Sequence, residues 1–468
     1  MLRGFSVTNF KSFNQPQSIS MAASKIVRHQ DHIREVSEKK ILKSALIFGA
    51  NAGGKSNLIR AVDFSRDIVL SGLESVDLSG QFFRIDSENY HKPGVFEYNL
   101  LVGGREYSYG IAISYDKQEV ISEWLVRLFK NGKEFVIFNR NTEEDGTSTV
   151  ETDIKAGDKT SSMRLSVYFE DYGNEISAAS RKKSMLSDIA SRSSNRQGIF
   201  GEIQSVYRFF RNMIIIFPDT KYNLINEIAT DSERKDFFQS VLGYFDTGIE
   251  SIRSQSHSMD FDKLFSDMTS GDAARIKLDL SKAAQEHPVT LRVGNQVIIL
   301  RKDKDGNIIY NKLLLNHGNP SDLFDYQDES DGTRRLFDLV PLLYDTGDTS
   351  VILIDEIDRS LHTNLVRKFI ELFFEKTRNS DTQLIATTQD PNIMDLGLLR
   401  QDEIWFVQRE NDHSSTIYSL NKFKERFDKV VRNDYLNGRY GAIPMFNGDF
   451  LTEEIEDAEK VSPSSQLI

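Results

Sequence analysis

With 468 residues, 39% of them hydrophobic and 27% charged, the chain is composed like a globular protein of two or three lobes, and its lack of cysteine excludes disulfides, zinc–thiolate sites and iron–sulfur clusters. A formal charge of -12 argues against a nucleic-acid coat protein, so any DNA contact is local. No apolar run of about eighteen residues and no signal-peptide layout at the N-terminus is present, so a cytoplasmic protein without membrane contact is expected.

Leu2–Phe10 reads as a strand and Lys25–Lys43 as a basic, polar stretch. A short apolar strand, Ser44–Phe48, runs into a Gly-rich turn and then a helical pattern from Asn57 to about Leu70. Beyond Gln81 the pattern changes to short alternating runs. Val95–Val102, Tyr107–Ser114 and Trp124–Phe129, with turns at Gly103-Gly104 and Asp116-Lys117, predict an antiparallel sheet beside that first unit. Residues 139–163 read as a loop, and 177–250 as mostly helical with a short strand at Met213–Phe217. Arg181, Lys182, Lys183, Arg192, Arg196, Arg208 and Arg211 gather there, either as a solvated helix face or as a local phosphate or partner patch. Residues 254–288 read as polar and helical, and Thr290–Leu314 as two strands turning at Asp305-Gly306. A second α/β block begins near Asp331, with a helix over Arg334–Tyr344 and a strand at Val351–Ile354. Its next helix covers about Asn364–Lys376, where Leu365, Phe369, Leu372 and Phe373 mark a core face. Gln383–Thr387 and Glu403–Gln408 read as further strands, and the acidic tail after Phe450 as disordered.

Three segments carry chemistry. GANAGGKS at Gly49–Ser56, between a strand and a helix, is a complete phosphate-binding loop. Gly49, Gly53 and Gly54 let the backbone turn tightly and bring N–H groups against phosphate oxygens. Lys55 reaches the terminal phosphates, the Ser56 hydroxyl ligates Mg²⁺, and the helix start points its positive end at the same anion. In the second segment, the buried strand Val351–Ile354 ends in two carboxylates. Asp355 would hold a magnesium ion through its waters, and Glu356 would polarise a water for in-line attack on a γ-phosphate. The third, Glu329–Arg334, places Ser330 and Gly332 at a helix start, as an anion site or as a simple cap.

Phosphate loop, ESDGT signature, Asp355-Glu356 and a following Asp358, in that order, resemble the ATP-binding cassette class. More narrowly they are similar to the ATPase heads of the RecF, SMC and OLD groups. Asn9-Phe10-Lys11-Ser12-Phe13 matches the opening common in those heads, Gly49-Ala50-Asn51 resembles their phosphate loop, and YLNGRYGAIP at Tyr435–Pro444 resembles the end of the stand-alone AAA15 and AAA21 branch. The resemblance implies an α/β fold: an ABC-ATPase head with a phosphate-loop core, an antiparallel β lobe and a helical lobe. No long coiled coil and no TOPRIM domain are expected.

The resemblance also implies a head-to-head dimer holding two ATPs with Mg²⁺. One protomer presents the loop (Gly49, Asn51, Gly53, Gly54, Lys55, Ser56 and Asn57) with Asp355 and Glu356. The other presents Ser330 and Gly332 to the γ-phosphate, with Asp358 communicating across the interface. Gln81 is the candidate lobe-linking glutamine that senses magnesium. Where these heads place a histidine on the γ-phosphate, this chain has Gln389, which donates a hydrogen bond but carries no positive charge and relays no proton. ATP binding is then expected to survive, and the rate of hydrolysis is open.

The domain reading is 1–138 for the N-terminal lobe, 139–320 for a helical lobe and insertion, 321–450 for the C-terminal lobe and 451–468 for the tail. The functional expectation is an ATPase subunit of a bacterial anti-phage system, similar to the PARIS ATPase AriA or the Septu and retron ATPase PtuA, controlling a separately encoded effector, a nuclease. A RecF-like DNA-binding clamp and an ATP-binding scaffold with slow turnover are the alternatives.

Overall fold

The computed structural model describes residues 1–143, 145–154, 159–173, 177–193, 196–219, 231–258, 289–293, 296–302, 307–344, 349–426 and 428–444. The acidic tail, the turn at Asp305-Gly306 and residues 259–288 of the expected helical stretch lie outside them.

At the centre, among the described residues, is a six-stranded sheet in the order Ile214–Ile216, Val351–Ile354, Gln383–Thr387, Ser44–Phe48, Ile404–Arg409, Ser415–Ser419. The first five strands are parallel and the last is antiparallel. Val351–Ile354, Gln383–Thr387 and Ser44–Phe48 are buried along their whole length, as continuous apolar runs in a sheet covered on both faces must be. Alternate side chains feed two cores: Ala45, Ile47, Val351, Leu353 and Ile385 enter one, and Leu46, Phe48, Ile352, Ile354, Leu384 and Ala386 the other. The helix Lys55–Ser71 packs on the first side through Leu58, Ile59, Val62 and Ile68. The helix Thr363–Lys376 packs on the second side through Val366, Phe369, Ile370 and Phe373, so Phe369 and Phe373 are core while Leu365 and Leu372 flank it.

Because the parallel strands share a direction, the loops after Phe48, Ile354 and Thr387 all leave at one edge, where open α/β sheets bind ligands.

A seven-stranded antiparallel sheet shares the first core, in the order Ser148–Glu151, Glu134–Thr142, Glu119–Leu128, Arg105–Ser114, Gly94–Val102, Leu2–Thr8, Gln17–Ser20. A third sheet joins Ser251–Ser258, Ile308–Asn316, Gln296–Lys302 and Val289–Val293, with Phe324–Asp325 paired to Ile308–Asn316.

Local expectations are corrected in four places. Residues 139–163 are not one loop: a strand at Ser148–Glu151 pairs back on Glu134–Thr142, and a helix begins at Lys159. Ser251–Ser258 is a strand although the polar pattern of 254–258 suggests a helix, and pairing with Ile308–Asn316 fixes it. Three strands, not two, occupy 289–316. Within Lys25–Lys43, Ile33–Val36 and Lys39–Leu42 form a hairpin.

Candidate nucleotide site

The phosphate loop is held from behind. A Cβ on Gly49 would lie 2.3 Å from the Val407 carbonyl oxygen, and one on Gly54 would lie 2.3 Å from Ser415 Oγ and 2.8 Å from Ser12 Oγ. Gly54 also sits at φ 108°, a conformation side chains avoid. The loop backbone is therefore seated directly on the last hairpin of the core sheet. Ser415 Oγ donates to the Gly53 carbonyl at 2.7 Å and accepts from the Ser12 hydroxyl at 2.8 Å, and the Ser415 N–H donates to the Ser12 carbonyl at 2.7 Å. Asn57 Nδ2 completes this knot by donating to Ser12 Oγ at 2.9 Å, so Asn57 braces the loop.

The NFKSF segment thereby gains a physical role. Phe10 and Phe13 are buried, Phe10 packs 5.0 Å from Phe64 between ring centres, and the turn between them delivers Ser12 to the loop.

The helix Lys55–Ser71 starts at Gly54 with no side-chain cap, so its first N–H groups are free to meet an anion. Lys55 is buried, and its Nζ donates to the carbonyls of Gly49 at 2.7 Å and Ala50 at 3.0 Å. Burial lowers its pKa below the ordinary lysine value, against the opposing pull of Asp358, Asp355 and Glu356. An arriving phosphate would replace the two carbonyls and supply the counter-charge.

Facing the loop are the two carboxylates at the end of Val351–Ile354. Asp355 is buried and accepts a 2.6 Å hydrogen bond at Oδ1 from Thr387 Oγ1, and the same hydroxyl accepts from the Glu356 N–H at 2.8 Å. Glu356 has φ 51°, a left-handed conformation costing a non-glycine residue on the order of 1 kcal/mol, which Thr387 helps to hold. Gln389 Nε2 donates to Glu356 Oε1 at 3.3 Å, and the Gln389 N–H donates to Asp358 Oδ2 at 3.2 Å. Gln389 thus stands at the third strand end, in contact with the proposed base itself. Asp358 Oδ1 is buried without a hydrogen-bond partner among the described residues.

A cleft of ≈ 560 Å³ opens beside these groups and is lined by Ser56, Asp355, Glu356, Gln81 and Asp63, among others. Gln81 borders it, but its Nε2 turns back to the Asp77 carbonyl at 2.9 Å, while its own carbonyl holds the Lys11 N–H at 2.6 Å. Burial, then the charge of Asp67, pushes the Asp63 carboxyl up to about 6.

Ser330 and Gly332 do not line this cleft. Ser330 caps the helix Asp331–Leu339, its Oγ accepting from the Thr333 N–H at 3.1 Å, and it is exposed. Gly332 lies against the turn after Asp358: a Cβ there would meet the Ser360 carbonyl oxygen at 2.7 Å. One chain therefore gathers Gly49–Ser56, Asp355, Glu356, Asp358 and Gln389 at one edge, while Ser330 and Gly332 sit on a helix start that packs behind the Asp355–Ser360 turn and lines no part of the cleft. Thr387, Ser12 and Ser415 belong to the site although no sequence motif assigns them a role. Thr387 is legible only as the strand residue two before Gln389, and the two serines meet across 403 positions, which no local pattern encodes.

The donors fit the groups the motifs imply. Ser56 and Asp355 offer hard oxygen ligands of the kind Mg²⁺ takes, and the uncapped helix start with Lys55 fits a triphosphate. Fold and site together define a phosphate-loop nucleotide-binding protein. The chain belongs to the AAA family described as "AAA domain, putative AbiEii toxin, Type IV TA system", whose model matches residues 44–169 and 205–395. No curated protein matches the sequence.

Among solved structures it is similar to the SMC head domain from Thermotoga maritima, at 12% identity over 89% of this chain and 98% of that one, with a TM-score of 0.36. It is also similar to the Smc head bound to the C-winged helix domain of ScpA, at 14% identity over 89% of this chain and 97% of that one, with a TM-score of 0.37. A third is the Smc head with an extended coiled coil bound to the C-terminal domain of ScpA from Pyrococcus furiosus, at 14% identity over 90% and 97%, with a TM-score of 0.36. By family the chain is an AAA-domain protein, and its fold is mixed α/β, as its motifs implied. No helix among the described residues is long and apolar enough to cross a membrane.

Proposed function

We propose that the protein binds and hydrolyses Mg-ATP in composite sites formed by two copies, and that this cycle controls a separately encoded effector, a nuclease, in bacterial anti-phage defence. The observation that supports the composite site is a helix start carrying an exposed Ser330 that lines no part of the cleft holding Ser56, Asp355 and Glu356. Lys55 feels the charges of Asp355 and Glu356, while Ser330 is exposed and Gly332 half-buried on the helix that packs against the Asp355–Ser360 turn. Lys55 and the helix start bind the phosphates. Ser56 and Asp355 would hold Mg²⁺, which neutralises charge on the phosphates. Glu356, held by Thr387 and Gln389, takes the proton of the attacking water. Asp358, in hydrogen-bond contact with Gln389, lies on the turn that would face the partner copy.

The family's description names a toxin of a type IV toxin–antitoxin system, which supports a role in a defence or growth-control system. The test is protection of cells against phage by this gene with its neighbours, with and without Lys55→Ala. Loss of protection is expected, and undiminished protection by the variant would overturn the ATP-controlled reading. A second reading, a DNA-binding clamp, is favoured by a separate cleft of ≈ 670 Å³ lined by Arg196, Tyr207, Arg208 and Arg211. It requires duplex affinity that falls steeply with salt.

A further inference from the structure

Arg335 is the fifth residue of the helix capped by Ser330, yet its side chain is only 5% exposed. Its Nη2 donates at 3.3 Å to the carbonyl of Asp355 and at 3.3 Å to that of Glu356, the two residues whose carboxylates face the phosphate loop. Nε and Nη1 have no hydrogen-bond partner among the described residues, and the nearest carboxylate, Asp338, stands at 4.0 Å. Burial accordingly presses its pKa below the ordinary arginine value. A guanidinium buried with donors unfilled is costly, and an apolar side chain would pack the same space more cheaply.

What the cation supplies is a clasp on the turn that holds Glu356 at φ 51°. Three residues earlier the same helix has no slack against the same turn, since a Cβ on Gly332 would lie 2.7 Å from the Ser360 carbonyl oxygen. The helix start and the Asp355–Ser360 segment are thus joined at two points and must shift together.

We propose that Arg335 is a positioning residue that couples the two ATP sites of the dimer. ATP on one protomer's loop is gripped by Ser330 and Gly332 of the other, and Arg335 of that second protomer carries the resulting shift of the helix to its own Glu356. The inference rests on the composite-site reading. It gives the helix a regulatory role, in which occupancy of one site sets the position of the base in the other.

The test measures turnover against ATP concentration, nucleotide binding and ATP-driven dimer formation for the full-length wild type, Arg335→Met and Arg335→Lys. Both variants should bind ATP and dimerise. Arg335→Met should lose turnover by roughly 10- to 100-fold, with its ATP dependence changing from sigmoidal to hyperbolic, because a charge-assisted bond to both carbonyls is gone. Arg335→Lys, whose ammonium ends short of the Nη2 position that reaches both carbonyls, should recover only part of the rate. In mixed dimers whose second protomer carries Lys55→Ala, a wild-type first protomer should turn over more slowly than in the intact dimer, whereas an Arg335→Met first protomer should be indifferent. A folded Arg335→Met protein with wild-type turnover and sigmoidality overturns the coupling. Should that variant melt before assay, wild-type kinetics in Arg335→Lys overturns it equally. A wild-type protein that stays monomeric with ATP refutes the composite site itself, a failure visible before any Arg335 variant is compared.

Discussion

Replacing Thr387 by valine removes one oxygen and almost no volume, so it isolates what the hydroxyl does. Thr387 is fully buried; its Oγ1 donates to Asp355 at 2.6 Å and accepts from the Glu356 N–H at 2.8 Å. A hydrogen bond to a carboxylate contributes about 1.5–3 kcal/mol, and a buried N–H left without an acceptor costs about 1–3 kcal/mol. Thr387→Val should therefore destabilise the segment by about 2.5–6 kcal/mol and release Glu356 from its left-handed conformation. Each ~1.4 kcal/mol felt in the transition state is tenfold in rate, so turnover should fall by roughly 10- to 100-fold. Nucleotide binding through Lys55 should change much less. Steady-state hydrolysis and equilibrium ATP binding, measured beside Thr387→Ser, separate the two. The serine variant keeps the hydroxyl and should stay near wild type. Wild-type turnover in a folded Thr387→Val protein would refute the claim that this hydroxyl places both carboxylates.

Lys55→Ala should abolish measurable ATP binding, and tight binding by the variant in a nucleotide titration would remove the loop as the site. Gln389→His should raise the hydrolysis rate if the uncharged amide limits catalysis; an unchanged rate would show that this position does not determine it. Asp63 carries a pKa raised from 3.8 to about 6 by burial, so the folded state binds its proton more tightly than the unfolded state does. Its ionised form therefore weighs against folding above about pH 6, and that burden disappears as pH falls toward 3.8. Asp63→Asn should accordingly melt higher than wild type at about pH 7.5 and with no advantage near about pH 4, and a pH-independent difference in melting temperature would contradict the assignment.

Most of the core sheet was legible because its central parallel strands carry continuous apolar runs. Ser44–Phe48, Val351–Ile354 and Gln383–Thr387 need no alternation when both faces are covered, and turn chemistry marks their ends. The strand Ser251–Ser258, SIRSQSHS, offers no such signal: its polar sequence is extended only because Ile308–Asn316 pairs with it. At the site, the motif residues Lys55, Asp355 and Glu356 could be read from spacing, since each chemistry is carried by a local segment. What holds them could not. Ser12 meets Ser415, Thr387 meets Asp355, and Arg335 reaches the carbonyls beyond Ile354, all through contacts made only once the sheet has assembled. Position in a motif singles out Asn57 and Gln81, and spacing gives no sign that their amides bond to Ser12 and the Asp77 carbonyl.

The central claim, that Lys55 with Glu356 is half of a site completed by Ser330 and Gly332 of a second copy, is tested most directly by light scattering on size-fractionated Glu356→Gln protein with and without Mg-ATP. Without its base the variant should bind ATP, fail to hydrolyse it, and shift from the mass of one chain to that of two. Adding Ser330→Arg to the same protein should return it to one. A Glu356→Gln protein that binds ATP yet keeps the mass of a single chain would contradict the composite site.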